Sequence, residues 1–195
     1  MSPVKDRKNA QKTVVFTIGH STRTIEESIE IMKTFGIKKV VDIRTIPKSR
    51  FNPQFNQDAI KESLKKAKIG YLHLKKLGGL RHALKDSPNR GWRNASFRGF
   101  ADYMQTGEFS EGLEKLLEAA EKRATVIMCA EALPWRCHRS MVADALLVRG
   151  IPVTHIMTAS SSRDHTLTPW AKVKGTAITY PSDIVVQATE KTWHS

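Results

Sequence analysis

One segment, Cys129-Ala-Glu-Ala-Leu-Pro-Trp-Arg-Cys-His-Arg139, gathers thiol, carboxylate, imidazole and guanidinium groups. An apolar run leads into it, Pro134 interrupts it, and a helical pattern starts near Cys137. Unpaired N–H groups at a helix start attract anions and favour thiolate over thiol, so Cys137 is the candidate nucleophile. Arg136 and Arg139 offer planar donors suited to phosphate or carboxylate, with His138 as a further ligand contact. Glu131 stands where a general acid or base would be needed. Cys129 lies inside the apolar run and reads as a small core residue. Six residues separate Cys129 from Arg136, which excludes the Cys-x5-Arg loop of the cysteine phosphatases. The Gly-rich Lys-Ser/Thr pattern of a P-loop is absent as well. No metal site is expected, because adjacent Cys137 and His138 would diverge on a helix and no Cys-x2-Cys spacing exists.

Two other groups leave apolar, β-branched runs. His20, Ser21 and Arg23 follow the first run; Asp42, Arg44 and Arg50 lie in or after the second. His20 is read as catalytic, and Ser21, Arg23, Arg44 and Arg50 as ligand contacts. A carboxylate in an apolar strand is costly unless paired. Asp42 is therefore either a general base or ribose-hydroxyl acceptor, or one half of a bridge to Arg44 or Arg23. The stretch from Lys75 to Arg98 is different in kind. Lys75, Lys76, Arg81, Arg90, Arg93 and Arg98 surround Trp92, and cations beside an aromatic ring suit single-stranded nucleic acid. The alternative is a solvated loop anchored to the core by its Trp.

Strand signals cover 13–18, 39–44, 71–74, 125–130 and 152–157. Helical spacing follows Thr24, whose side chain with Glu27 forms a capping box, and recurs over 57–68, 97–104, 110–123 and 137–149. Strand alternating with helix gives an α/β fold: one domain, a mainly parallel sheet of about five strands, and helices on both faces in a Rossmann-like three-layer arrangement. Ligands in such sheets bind beyond the carboxyl ends of the strands, which places every motif above on one edge. A strand order of 3-2-1-4-5 would set His20 near Glu131. Residues 1–12 read as a flexible basic lead, 13–175 as the domain, and 176–195 as a tail or short added element.

Four motifs in order carry a resemblance: Thr-Ile-Gly-His-Ser-Thr-Arg at 17–23, Asp-Ile-Arg-Thr-Ile-Pro-Lys-Ser-Arg at 42–50, Leu-Gly-Gly at 77–79, and Cys-Ala-Glu-x4-Arg-Cys-His-Arg at 129–139. Over roughly residues 14–158 the chain resembles an uncharacterised prokaryotic family catalogued as domain of unknown function 488. The resemblance implies an α/β domain and supplies no established reaction.

The 195 residues carry 32 Lys plus Arg against 19 Asp plus Glu, a net charge of +13. Such a surface favours polyanions. Two cysteines exclude a disulfide framework, and no apolar run of membrane-spanning length exists, so a cytoplasmic setting is expected. The sequence sets no oligomeric state. Its expected function is a cofactor-independent, hydrolase-like enzyme acting on a nucleotide or nucleic-acid component held at an anion site. The competing expectation is a nucleic-acid-binding module without turnover.

Overall fold

A computed structural model describes residues 13–182. Strands β1 (Val15–Gly19), β2 (Lys39–Asp42), β3 (Gly70–His73), β4 (Thr125–Cys129) and β5 (Val153–Ile156) run parallel, and β6 (Ser162–Asp164) adds an antiparallel edge. The helices are α1 (Ile25–Thr34), α2 (Gln57–Lys66), α3 (Ala95–Tyr103), α4 (Gly107–Lys122) and α5 (Arg139–Leu147). Val40, Val126 and Met128 pack with Met32, Ile60 and Leu64 of α1 and α2 on one face. Val41 and Ile127 pack with Phe100, Leu113 and Met141 of α3, α4 and α5 on the other. Alternate strand residues thus feed two apolar layers, which is why the strands show no polar alternation. The fold is the three-layer α/β arrangement the pattern implies.

The strand order is β3-β2-β4-β1-β5-β6, which corrects the expected 3-2-1-4-5. The runs fix which segments are strands, but the lateral order depends on which faces the crossover helices cover. β1 and β4 are still neighbours, with Gly19 paired to Cys129. Their outgoing connections diverge: α1 leads to β2 along one face, and α5 leads to β5 along the other. This reversal opens a crevice beyond the two strand ends.

Three local differences matter. The last helix starts at Arg139 rather than Cys137, so Cys137 and His138 belong to the turn before it. Thr106 caps α4 through the Phe109 N–H and starts that helix before Ser110. Beyond β6, a hairpin of β7 (Lys172–Lys174) and β8 (Ala177–Thr179) leads to the fully buried Tyr180. The hairpin spans residue 175, and Ile178 and Tyr180 join the core cluster that holds Phe100, Leu113 and Met141. The lead at 1–12 and the rest of the tail lie outside the described residues.

Candidate active site

The crevice holds a cavity of about 590 Å³. The turn after β1 and the loop after β4 form its walls, joined by the segment after β2 and by Gly79, Leu80 and Phe97. His20, Ser21, Arg44, Glu131, Arg136, Cys137 and His138 line it together, so seven of the eleven proposed catalytic and ligand-binding residues meet there. Lys48 and Cys129 join them. Glu131 is the only carboxylate among the lining residues.

The loop after β4 has an unusual hydrogen-bond pattern. The Cys129 and Ala130 carbonyls accept from the N–H groups of His20 and Ser21, at 3.0 and 2.8 Å. The Glu131 and Ala132 carbonyls accept from the two terminal nitrogens of Arg139. Four successive carbonyls are thus held by the turn after β1 and by Arg139 at the start of α5. All these peptides are trans, so each N–H points opposite to the carbonyl of the preceding residue. The N–H groups of Ala130, Glu131, Ala132 and Leu133 consequently turn away from those partners, and none donates a hydrogen bond among the described residues. Gly19 permits this arrangement, since a Cβ there would collide with the Glu131 carbonyl oxygen. Replacement of Gly19 by Ala is expected to displace the loop and lower stability by about 2 kcal/mol or more. A change within about 0.5 kcal/mol in urea unfolding, the range of neutral surface substitutions, would show that the close approach is dispensable.

Arg139 is only 1% exposed, and no carboxylate lies within salt-bridge distance of it among the described residues. Its charge is buried beneath the loop instead of reaching into the cavity, so it acts as a clamp and a source of positive potential, not as a direct ligand donor. Arg23 is also committed, to the carbonyls of Gly19 and Met157 and, at 3.4 Å, to Glu27. Arg50 is exposed outside the cavity lining.

Asp42 is fully buried and takes the bridge role. It accepts from Arg44 Nε at 2.9 Å, Arg44 Nη2 at 2.6 Å, the Arg44 N–H at 3.1 Å and Tyr71 Oη at 2.9 Å. Burial opposes the Arg44 charge, but the Asp42 carboxylate outweighs it and holds the guanidinium above its ordinary pKa. Arg44 also donates to the Phe55 carbonyl at 2.8 Å and reaches His20 Nε2 at 3.3 Å. His20 Nδ1 lies 2.9 Å from the Ser21 carbonyl, which can only accept, so Nδ1 carries the proton and Nε2 accepts from Arg44. Burial lowers the His20 pKa, and its ring stacks on Phe55 at 4.1 Å. Both ring nitrogens are therefore engaged, and His20 orients Arg44.

The cavity floor is sulfur. Cys129, Cys137 and His138 bring one ligand-type atom each to within 4.8 Å of one another. The neighbouring Cys137 thiol lowers the Cys129 pKa against the penalty of burial. The same neighbour, together with burial, raises that of Cys137. Cys137 lies before the helix, and its N–H is used by the Pro134 carbonyl. The strand run that made Cys129 look like a core residue also delivers it to the sheet edge. His138 Nε2 lies 3.2 Å from the Ile43 carbonyl, so Nε2 is protonated and Nδ1 keeps its lone pair, 3.8 Å from Cys137 Sγ.

The basic stretch does not converge on the cavity. Lys75, Arg90 and Arg93 are exposed. Lys76 pairs with Glu111, Arg81 stacks 3.5 Å over Tyr103, and Arg98 donates to the Trp92 carbonyl at 3.4 Å. Trp92 is half-buried against Phe97 and Trp170, with ring centroids 5.3 and 5.2 Å away. It anchors the long loop to the core.

A family model described as domain of unknown function DUF488 matches residues 24–146. The chain belongs to this DUF488 family. The matched span is shorter than the motif resemblance and leaves the 17–23 motif outside it, although the DUF488 loop at 129–139 is included. No curated protein and no solved structure matches the chain. No helix among the described residues is long and apolar enough to cross a membrane.

Proposed function

We propose that this DUF488 protein is an enzyme that hydrolyses a nucleotide or a nucleic-acid component bound in the cavity through its phosphate. The observation that carries the reading is the run of four unpaired N–H groups at 130–133, backed by a buried guanidinium with no carboxylate partner. Oriented N–H groups and a fixed positive charge in a cleft bind an anion and stabilise charge that develops on it. The exposed Lys48 and Arg136 at the lining extend the positive rim. A cavity of this size suits a small molecule of nucleotide dimensions. Glu131 is the carboxylate left to move a proton, since Asp42 is consumed by Arg44, and His20 is consumed by Ser21 and Arg44.

Thermal unfolding with nucleoside monophosphates, pyrophosphate and short single strands tests binding. A concentration-dependent rise in Tm is expected, together with its loss in Arg136→Ala, an exposed site whose replacement leaves stability unchanged. If all these ligands fail at low salt, the reading is abandoned. Glu131→Gln is expected to retain binding and lose about 10²–10⁴-fold in kcat. Unchanged turnover would remove Glu131 from the chemistry. A module without turnover has little use for a carboxylate at the cavity lining, which favours the enzyme.

A further inference from the structure

We propose that Cys129, Cys137 and His138 form a three-ligand zinc site whose fourth position opens into the cavity. The sequence argued against such a site because adjacent residues diverge on a helix. Here neither residue is inside α5: Cys137 is extended, with φ −138° and ψ 143°, and His138 is helical in its backbone angles, with φ −57° and ψ −15°. The chain bends between them, and both side chains reach the end of β4.

The ligand geometry is close to what the ion requires. Zinc bonds of about 2.3 Å to sulfur and about 2.0 Å to nitrogen, at tetrahedral angles, separate two sulfurs by about 3.8 Å and sulfur from nitrogen by about 3.5 Å. Cys137 Sγ and His138 Nδ1 are 3.8 Å apart, and all three groups fall within 4.8 Å. The imidazole is preset for this task. Its Nε2–H donates to the Ile43 carbonyl, the outer-shell bond that fixes a metal-binding histidine. Gly79 lies against the ring without blocking it. A Cβ on Gly79 would sit 2.7 Å from Cγ and 2.9 Å from Cε1, and closer still to Nδ1. Flanking carbons this close, little farther away than Nδ1 itself, place it above the ring face, so the in-plane lone pair remains open.

Two thiolates and one imidazole form a soft set that selects zinc over magnesium or calcium. Three protein ligands with an open fourth position characterise catalytic zinc, whereas structural sites close with four. All three residues line the cavity, so the open position faces the space assigned above to substrate. The site stands independently of the nucleotide reading, because it is built from different atoms and is assayed without substrate.

The test uses the full chain, reduced and stripped of metal, titrated with Co²⁺ and then with Zn²⁺. One equivalent of Co²⁺ is expected to give the intense visible bands of a tetrahedral site and thiolate-to-cobalt charge transfer. Zn²⁺ should displace it and raise Tm. Cys129→Ser and Cys137→Ser should each lose charge-transfer intensity. Gly79→Ala should weaken binding by pushing the His138 ring, with every protein ligand atom retained. Failure of the folded, reduced wild-type chain to bind either ion overturns the proposal, as does unchanged charge transfer in both serine variants. Formation of a Cys129–Cys137 disulfide in place of any metal complex overturns it too. Nucleotide binding without metal binding sinks only the zinc site; the reverse sinks only the nucleotide reading.

Discussion

Replacement of Asp144 by Ala is expected to lower stability by about 3–5 kcal/mol, the range for removing one partner from a buried charged network. Asp144 is fully buried on α5. It accepts from the Thr168 N–H at 3.0 Å, Thr168 Oγ1 at 2.7 Å, Tyr180 Oη at 2.8 Å and His165 Nε2 at 2.8 Å. The chain of bonds continues inward. His165 Nδ1 lies 3.0 Å from His155 Nε2, and His155 Nδ1 lies 2.7 Å from Thr17 Oγ1. Asp144 can only accept, so His165 Nε2 donates to it, and the line continues through His155 to Thr17. This line ties β1, β5 and the end of β8 to α5. Alanine leaves four donors without a partner, and unsatisfied buried groups are what make such losses large. Urea unfolding monitored by tryptophan fluorescence measures the change. A loss below about 1 kcal/mol, ordinary for a point substitution, would mean that water replaces the carboxylate.

The same line sets a pH dependence. Burial first, then the His165 side chain, pushes the His155 pKa from 6.5 down to about 3. The unfolded chain takes up a proton there near pH 6.5, while the native chain refuses it until about pH 3. Native stability is therefore full above pH 6.5 and declines as the pH falls toward 3. His20 contributes in the same direction. In melting curves between pH 7 and 4, His155→Gln is expected to flatten the slope. An unaltered slope would assign the dependence to other groups.

Much of the fold is legible because apolar runs and caps are local. The run at 125–129 is buried along its whole length, and Thr24 caps α1 through the Glu27 N–H. Strand order is not local, and it came out differently. The hairpin near the C-terminus is short and exposed apart from Ile178 and the half-buried Thr179, with no apolar period to reveal it. At the site, the grouping of motifs follows from the sheet-edge rule, but the division of labour does not. Arg139 and Arg136 look equivalent as residue types, yet one is buried under a loop and the other is exposed. Asp42 resembles a base until Arg44 and Tyr71 surround it. The N–H run at 130–133 leaves no trace in side-chain identity, since it depends on where four carbonyls point. Gly19, which leaves room for the Glu131 carbonyl, and Arg139, which holds two of the four, were the available signals.

Arg139 gives the most direct test of that cradle. Arg139→Met fills a similar volume and removes the charge together with both donors. Loss of a buried charge without a carboxylate partner removes a desolvation cost. The Glu131 and Ala132 carbonyls lose their partners, at about 1–3 kcal/mol each. These effects oppose one another, so the variant is expected to remain folded with a net loss of about 2 kcal/mol. Its effect on the site should be far larger. Without the clamp, the peptides at 131–133 can rotate, and their N–H groups are no longer fixed. Positive potential behind them vanishes at the same time. The nucleotide-dependent rise in Tm is expected to disappear, and hydrogen exchange at 130–133 to show a mobile loop. Arg139→Lys keeps the charge but replaces a two-pronged donor by a point, so it should recover potential without the geometry and restore binding only in part. If Arg139→Met binds nucleotide as the wild type does, the loop holds its shape through β1 alone and the anion is bound elsewhere. If Arg139→Lys behaves like the wild type, the buried charge is what matters, and the orientation of the peptides is secondary.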